Sequence, residues 1–175
     1  MSEIKEARLQ KASSLLNKGF ASYAQSFNVS HTTSFLTNEF DYLENGQEED
    51  FNVSLAGRVM AKRVMGKIAF FTISDQEGQI QLYLDKRVIN LNLDKQKLLS
   101  FEDIKEIVDI GDWIGVYGTI KKTNKGELSI KVEKWEMLSK SLQPLPDKWH
   151  GLTDIEKRYR PVSYTHLTLP TTPYV

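Results

Sequence analysis

The chain has 175 residues, with 23 basic and 23 acidic side chains and no cysteine. This length allows one domain with a substantial core plus accessory structure, and the lack of cysteine excludes disulfides and thiolate metal sites. The N-terminus has no apolar secretion signal, and no window of the sequence is long enough to span a membrane. These properties predict a cytoplasmic protein that does not act in the membrane.

Two helices are predicted at the N-terminus. The first covers Ser2 to Asn17, where apolar residues recur with helical spacing and acids occupy the first turn. The second begins with Thr32 or Thr33 as its N-cap and stops near Gly46. We therefore assign residues 1–50 to an N-terminal helical extension. The side chains of the second helix that are predicted to point inward are Leu36, Phe40 and Leu43.

Alternating apolar residues predict three consecutive strands after this extension. The first covers Phe51 to Arg63 and contains Gly57, which is typical of a bend that closes a small barrel. The second and third are joined by a hairpin turn at residues 75–78. The residues predicted to point inward are, in the first strand, Phe51, Val53, Leu55, Val59 and Ala61, in the second, Ala69, Phe71 and Ile73, and in the third, Ile80, Leu82 and Leu84.

One helix and two further strands complete the pattern. The helix is predicted over Lys97–Val108, the fourth strand over Trp113–Ile120 and the fifth over Glu127–Met137. The order βββ-α-ββ across residues 51–140 is that of the OB fold, a mainly β, five-stranded barrel. Its second and third strands and its loops commonly bind nucleic acid.

The side chains opposite the apolar rows are suited to nucleic acid. Between Leu55 and Ser74 there are four basic residues and no acid. Phe70 is predicted to point outward because Phe71 already occupies the inward position, and Gln81 lies on the same outer side of the third strand. Cations beside an exposed aromatic and an amide favour a site that grips phosphate and stacks a base. A core role for the aromatic and a plain surface role for the amide are the alternatives.

Several motifs resemble one family. In chain order they are GRVMAKRVMGK, AFFTISD, EGQIQLYL, GELSI, LPDKWHGL and EKRYR. Over about residues 3–160 the chain resembles the N-terminal region of bacterial-type class II lysyl-tRNA synthetases. The earlier motifs are partly shared with aspartyl- and asparaginyl-tRNA synthetases, whereas LPDKWHGL and EKRYR are more particular to the lysyl family. A piece of an aspartyl- or asparaginyl-type synthetase is the weaker alternative.

The resemblance implies a binding site for the anticodon of tRNA(Lys). By motif position, Phe70 would stack on the middle uridine, while Gln81 and Glu127 would hydrogen-bond the same base. A carboxylate can accept the N3–H of uracil and would repel the N3 of cytosine, which is itself an acceptor. Arg58 and Lys62 are predicted to point outward and meet base or phosphate. The lysines expected to contact the phosphate backbone are Lys67, Lys121, Lys122 and Lys125.

Two of these side chains have plain alternatives. Glu127 could simply pair with Lys131 or Lys125 on the surface. Tyr83 lies outward beside Gln81 and either stacks on a base or only covers the barrel. The histidines have no third ligand at metal-binding spacing, so no metal site is predicted.

The resemblance also limits the activity that is expected of this chain. The chain contains none of the class II catalytic motifs, so it is expected to have no cofactor of its own and to be inactive in lysine activation. The full-length enzyme is expected to be a homodimer that uses ATP and Mg²⁺. Residues 141–160 are then a hinge and the start of the catalytic domain that follows in the family. A standalone OB-fold protein that binds tRNA or single-stranded nucleic acid is the alternative function.

Residues 161–175 differ from the rest of the chain, since they contain no charged side chain although 26% of the whole sequence is charged. Their segment VSYTHLTLPTT, Val162 to Thr172, resembles one reading frame of a transposon-derived sequencing adapter. We therefore interpret residues 161–175 as an artefact and exclude them from the fold. An ordinary Thr/Pro-rich tail is the alternative.

Overall fold

The computed structural model describes residues 3–91, 93 and 98–143. Residues 1–142 form one compact unit, and a second unit begins at Gln143. The predictions for the exit segment beyond Gln143 and for the tail lie outside the described residues. None of the helices in the described part of the chain is long and apolar enough to cross a membrane.

Two helices precede the strands, α1 (Glu3–Asn17) and α2 (Thr33–Glu39). The predicted start of α2 is confirmed, because Thr32 is its N-cap and the Thr32 hydroxyl accepts a hydrogen bond from the backbone N–H of Phe35. The helix ends earlier than the predicted stop near Gly46. The three predicted inward side chains are nevertheless all buried: Leu36, Phe40 and Leu43.

Five strands form a closed barrel in the order β1-β2-β3-β5-β4. They are β1 (Glu48–Met65), β2 (Ile68–Ser74), β3 (Gln79–Asp85), β4 (Trp113–Lys122) and β5 (Leu128–Ser139). Strands β3 and β5 pair in parallel, and every other pairing in the barrel is antiparallel. The predicted OB fold, with helices at the N-terminus, is confirmed.

Two short helices, α3 (Lys86–Leu91) and α4 (Phe101–Ile107), lie between β3 and β4. The sequence pattern predicted α4 but not α3. A capping box begins α4, in which the Ser100 hydroxyl accepts from the N–H of Asp103 and the Asp103 carboxylate accepts from the N–H of Ser100. This capping places the start of α4 after the predicted Lys97, which lies outside the described residues.

The apolar rows predicted for β2 and β3 fill the barrel. Phe71 and Leu82 are completely buried, and they belong with Trp135 of β5 to one continuous core. The alternation predicted for these two strands is confirmed, because burial changes with every residue along β2 and along β3 as far as Leu84. Apart from Asp85 at the end of β3, which is buried, the outer side chains of β2 and β3 are half-buried or exposed and share one face of the barrel.

Strand β1 departs from the predicted alternation. Its pairing with β2 shifts between Val59 and Ala61, where one extra residue forms a bulge. Because the side-chain period of a strand is two, one inserted residue exchanges the two faces beyond it. The prediction that Ala61 points inward was wrong, since Ala61 is exposed. Gly57 lies before the shift, and a Cβ atom there would come within 3.0 Å of the Cβ of Ile73 and the carbonyl of Ser74.

The bulge also exchanges the faces to which two cationic side chains point. Lys62 lies opposite Phe71 and shares its face, whereas Arg63 lies opposite Phe70. The prediction that Lys62 points outward was therefore wrong, whereas Arg58 lies before the bulge and is not affected by it. Arg63 takes the outward position beside the exposed aromatic.

Candidate nucleic-acid interface

The register of the barrel places an aromatic pair between two cations on its outer surface. Phe70 and Tyr83 are direct cross-strand partners whose ring centroids lie 5.6 Å apart at 67°, an edge-to-face arrangement. The guanidinium carbon of Arg63 lies 6.0 Å from the centroid of the Phe70 ring. Lys131 of β5 is the partner of Tyr83 on the other side. We call this row, from β1 to β5, the aromatic row: Arg63, Phe70, Tyr83 and Lys131.

A second row runs beside the first and carries polar groups. The Cα register links Thr72 to Gln81, Gln81 to Ser129, Ser129 to Lys121, and Lys121 to Glu48. The Ser129 hydroxyl donates a hydrogen bond of 3.0 Å to the amide oxygen of Gln81. We call this set the polar row. It passes through all five strands, so barrel closure assembles it.

A pocket of about 420 Å³ opens at one end of the polar row. Gln81 and Glu127 both line it, together with Thr72, which is two residues from Phe70 on the same face of β2. The remaining walls come from α2 and the segment after it, the neighbouring parts of β3 and β5, the end of β4, and the β4–β5 loop: Thr37, Phe40, Asp41, Gln79, Ile80, Lys122, Lys125, Gly126 and Leu128. The structure thus brings the predicted amide and carboxylate to one concave site beside the predicted stacking surface.

The carboxylate of Glu127 has no ion pair among the residues that the structure describes. Its proposed surface partner Lys131 binds Glu48 instead, at 2.6 Å. Glu127 itself is exposed and lies directly before β5. Its carboxylate is therefore accessible to a ligand in the pocket.

Glu48 holds two lysines of the outer surface. Its carboxylate oxygens accept from the ammonium groups of Lys121 and Lys131, and these hydrogen bonds lower the pKa of Glu48. The Lys121 ammonium also lies 5.1 Å from the centroid of the Tyr83 ring. Each ring of the pair therefore has a cation near one face, Lys121 at Tyr83 and Arg63 at Phe70.

The predicted cations of β1 have different surroundings. Arg58 is outward and lies against Trp113, with its guanidinium carbon 5.5 Å from the ring centroid, and burial lowers the pKa of Arg58. The ammonium of Lys62 donates two hydrogen bonds of 2.6 Å, to the carbonyls of Lys105 and Val108 at the end of α4. A cation at the C-terminal end of a helix satisfies carbonyls that have no partner within the helix. Lys62 therefore has a structural role in this protein.

The four lysines predicted to contact phosphate divide into two kinds. Lys121 is bound to Glu48, and the ammonium of Lys122 donates to the carbonyl of Asp41 at 3.1 Å. Both belong to β4 rather than to the loop that the sequence predicted. Lys67 in the β1–β2 turn and Lys125 in the β4–β5 loop are exposed, and within the described ranges their ammonium groups make no hydrogen bond or ion pair.

Three contributors to this surface were missed by the sequence interpretation. Arg63 was counted in the basic stretch but assigned no role, because the bulge that turns it outward has no clear sequence signal. Ser129 and Glu48 act through residues that are distant in the chain, so spacing could not reveal them. In the described part of the chain, no group of three or more His, Cys, Asp or Glu side chains could hold a metal ion.

Comparison with protein families defines the class first. Residues 53–138 match the family described as the OB-fold nucleic acid binding domain. This range begins within β1 and ends one residue before the end of β5, so the match covers the barrel described above, which has the OB fold.

Comparison with curated proteins is more specific. The chain is 92% identical over 160 residues to the lysine–tRNA ligase of Prochlorococcus marinus (strain MIT 9301), which covers 91% of this chain and 31% of that relative. It is 52% identical over 160 residues to the lysine–tRNA ligase of Synechococcus sp. (strain RCC307), with 91% and 30% covered. The resemblance to lysyl-tRNA synthetases is confirmed, and the chain spans about a third of the length of these relatives.

Proposed function

We propose that this OB-fold domain binds the anticodon of tRNA(Lys) and reads its middle uridine. The observation that carries the proposal is the pocket in which Gln81 and Glu127 meet beside the outward ring of Phe70. The identity of 92% to a lysine–tRNA ligase supports this function over that of a standalone single-strand-binding protein. The same identity disfavours an aspartyl- or asparaginyl-type synthetase.

The chemistry of the pocket suits uracil. A base stacked on Phe70 loses its water on one face, and the ring gives affinity without base preference. Preference comes from the edge of the base, where the Glu127 carboxylate accepts the N3–H of uracil and the Gln81 amide meets a neighbouring carbonyl. Cytosine presents an acceptor at N3, which the Glu127 carboxylate repels, and an amino group beside it, which opposes Gln81 when that amide turns its NH₂ group to the base.

The phosphate contacts follow from the cations that surround this pocket. Arg63 beside Phe70 and Arg58 beside Trp113 lie on the outer surface, where they can reach the backbone of a bound loop. Lys67 and Lys125 are exposed and add long-range attraction for phosphate. Lys121 and Lys122 would have to exchange their present partners to take part, and Lys62 is assigned no ligand contact.

The activity of the full-length protein is inferred from its relatives. We infer that it is a class II lysine–tRNA ligase that uses ATP and Mg²⁺ to attach lysine to tRNA(Lys), acting as a cytoplasmic homodimer. Residues 1–50 would be the helical extension, 51–140 the anticodon-binding domain, 141–160 the hinge and start of the catalytic domain, and 161–175 the artefact. The 160 residues matched in the relatives support this division. The observed start of β1 at Glu48 moves the first boundary by a few residues.

The proposal is tested by titrating the purified chain with two anticodon stem-loops that differ only in the middle base, U or C. We expect tighter binding to the middle-U stem-loop, since only uracil matches both Glu127 and Gln81. Equal affinity for the two stem-loops would contradict base reading at this site.

A second measurement concerns catalysis. The chain carries no ATP-binding motif of the family, so we expect no lysine-dependent exchange between ATP and pyrophosphate. Full-length lysine–tRNA ligase assayed in parallel is the positive control. Exchange above a blank preparation would contradict the assignment of catalysis to residues outside this chain.

A further inference from the structure

The amide of Gln81 can present either of two opposite chemical groups to a ligand. Its oxygen only accepts hydrogen bonds and its NH₂ group only donates them, and a rotation by half a turn exchanges the two. An amide at the surface samples both orientations. Base selection by Gln81 therefore requires a neighbour that holds one orientation.

Ser129 is that neighbour in this structure. Its hydroxyl lies 3.0 Å from the amide oxygen of Gln81 and 3.2 Å from the carbonyl oxygen of Glu127. The two residues are direct partners across the parallel β3–β5 pairing, so their side chains share one face. Ser129 is completely buried, which excludes water as a competing partner, so the single hydroxyl hydrogen is divided between these two oxygens, of which the Gln81 amide oxygen is the nearer.

We propose that Ser129 is a positioning residue for base selection, which acts by holding the Gln81 amide with its NH₂ group towards the pocket. When the amide oxygen accepts from Ser129, the NH₂ group is directed the other way. The site then offers a donor from Gln81 beside an acceptor from Glu127. This inference rests on the proposed anticodon function and adds to it the residue that sets the orientation of the reading group.

The pairing of donor and acceptor explains the expected specificity. Uracil presents a carbonyl beside its N3–H, which complements a donor beside an acceptor. Cytosine presents an amino group beside an unprotonated N3, so it would face two like groups. A flipped amide would place its oxygen towards the amino group of cytosine and remove half of this discrimination. Ser129 thus decides whether Gln81 favours or opposes cytosine.

The test compares wild type with Ser129→Ala, Ser129→Cys and Ser129→Thr in titrations against the middle-U and middle-C stem-loops. Ser129→Ala removes the donor, and Ser129→Cys replaces it by a weak donor of similar size. Both should reduce the preference for U about three- to tenfold, the worth of one hydrogen bond. Ser129→Thr retains the hydroxyl and should retain the preference. Thermal unfolding followed by circular dichroism confirms that each variant is folded.

A double-mutant cycle with Gln81→Ala separates positioning from general damage. Ser129→Ala should cause no further loss of preference once Gln81 is absent, because Ser129 acts only through that amide. A loss that is equal in both backgrounds, or one that lowers both affinities alike, overturns the positioning role. A wild-type preference that survives Ser129→Ala and Ser129→Cys overturns it while leaving anticodon reading intact. A wild type without preference overturns both.

Discussion

Two clusters of lysines and carboxylates in this barrel contain the same kinds of ion pair but differ in their role. The surface cluster consists of Glu48 with Lys121 and Lys131, whose side chains are 42%, 20% and 27% exposed. In the buried cluster, Lys140 binds Asp109 and Asp112, and neither Lys140 nor Asp112 exposes any of its side chain. Burial is the main difference between them.

The buried cluster is saturated with hydrogen bonds. The Lys140 ammonium donates to both carboxylates and to the carbonyl of Ile107, at 2.6 to 2.7 Å. The Asp112 carboxylate also accepts from the backbone N–H groups of Asp109 and Ser141. These contacts bind the end of β5 to the turn before β4. Because no water can replace a lost partner there, each group depends on the others.

The surface cluster can exchange partners at little cost. Its charges remain partly hydrated, so a phosphate group can replace the Glu48 carboxylate without exposing a buried charge. The comparison teaches that an ion pair in this domain is structural when it is buried, and that the outer ones remain adaptable beside the proposed binding site.

The largest effect is expected from Lys140→Met. It leaves the buried carboxylate of Asp112 without its cation, which should lower the free energy of unfolding by about 3–5 kcal/mol. The measurement is urea unfolding at neutral pH. The matched control Lys131→Met removes one lysine from the surface cluster and should cost about 0–1 kcal/mol. Similar losses for the two variants would show that burial does not distinguish the clusters.

Phe70→Ala should weaken binding of the middle-U stem-loop by about 1–3 kcal/mol, the usual loss when a stacked aromatic is removed. The fold should persist, since Phe70 lies outside the core. Phe71→Leu is the control and should have the reverse pattern, with reduced stability and nearly unchanged affinity, because Phe71 is completely buried. Unchanged affinity in Phe70→Ala would show that this surface does not stack the base.

Glu127→Gln should reduce the preference for the middle U over the middle C by about 1 kcal/mol, because an amide can also donate to cytosine N3. Titrations with both stem-loops measure the preference. Glu133→Gln, a substitution further along β5 and away from the pocket lining, is the matched control. A uniform loss for both bases would indicate an electrostatic role for Glu127 instead of base reading.

The buried cluster also predicts a pH dependence. Burial would raise the pKa of Asp109, but the hydrogen bonds from Lys11 and Lys140 outweigh it and lower the pKa below its ordinary value of 3.8. A carboxylate with a lowered folded-state pKa adds stability above its unfolded-state pKa, and this is lost as the pH falls through the folded-state value. The free energy of unfolding in urea at neutral pH should therefore be larger for wild type than for Asp109→Asn. This difference should shrink below pH 3.8. A constant margin would contradict this linkage.

The smallest effect is expected from Glu48→Gln. Releasing Lys121 and Lys131 should strengthen binding of both stem-loops slightly at low salt and leave the stability within about 1 kcal/mol of wild type. Titrations at two salt concentrations measure the change. Weaker binding would show that Glu48 holds the lysines in the geometry that the ligand needs.

Local periodicity predicted much of the fold and part of the site. In β2 and β3 the alternation alone separates Phe70 from Phe71 and places Gln81 outward, because successive side chains of a strand point to opposite faces. The same rule failed in β1 beyond Val59. The pairing of β1 with β2 determines where the extra residue lies, between Val59 and Ala61. The glycine of this strand, Gly57, lies before that point and so does not mark it.

By itself, therefore, the sequence determined the order of the strands, the core rows of β2 and β3, and the residues Phe70, Gln81 and Glu127 as candidates for one site. Only the tertiary structure decided that Arg63 replaces Lys62 on the outer surface and that Ser129 orients Gln81 from 48 positions away. Glu48 reaches Lys131 across 83 positions for the same reason. Barrel closure creates these contacts, and such long-range pairing leaves no periodic signal in the chain.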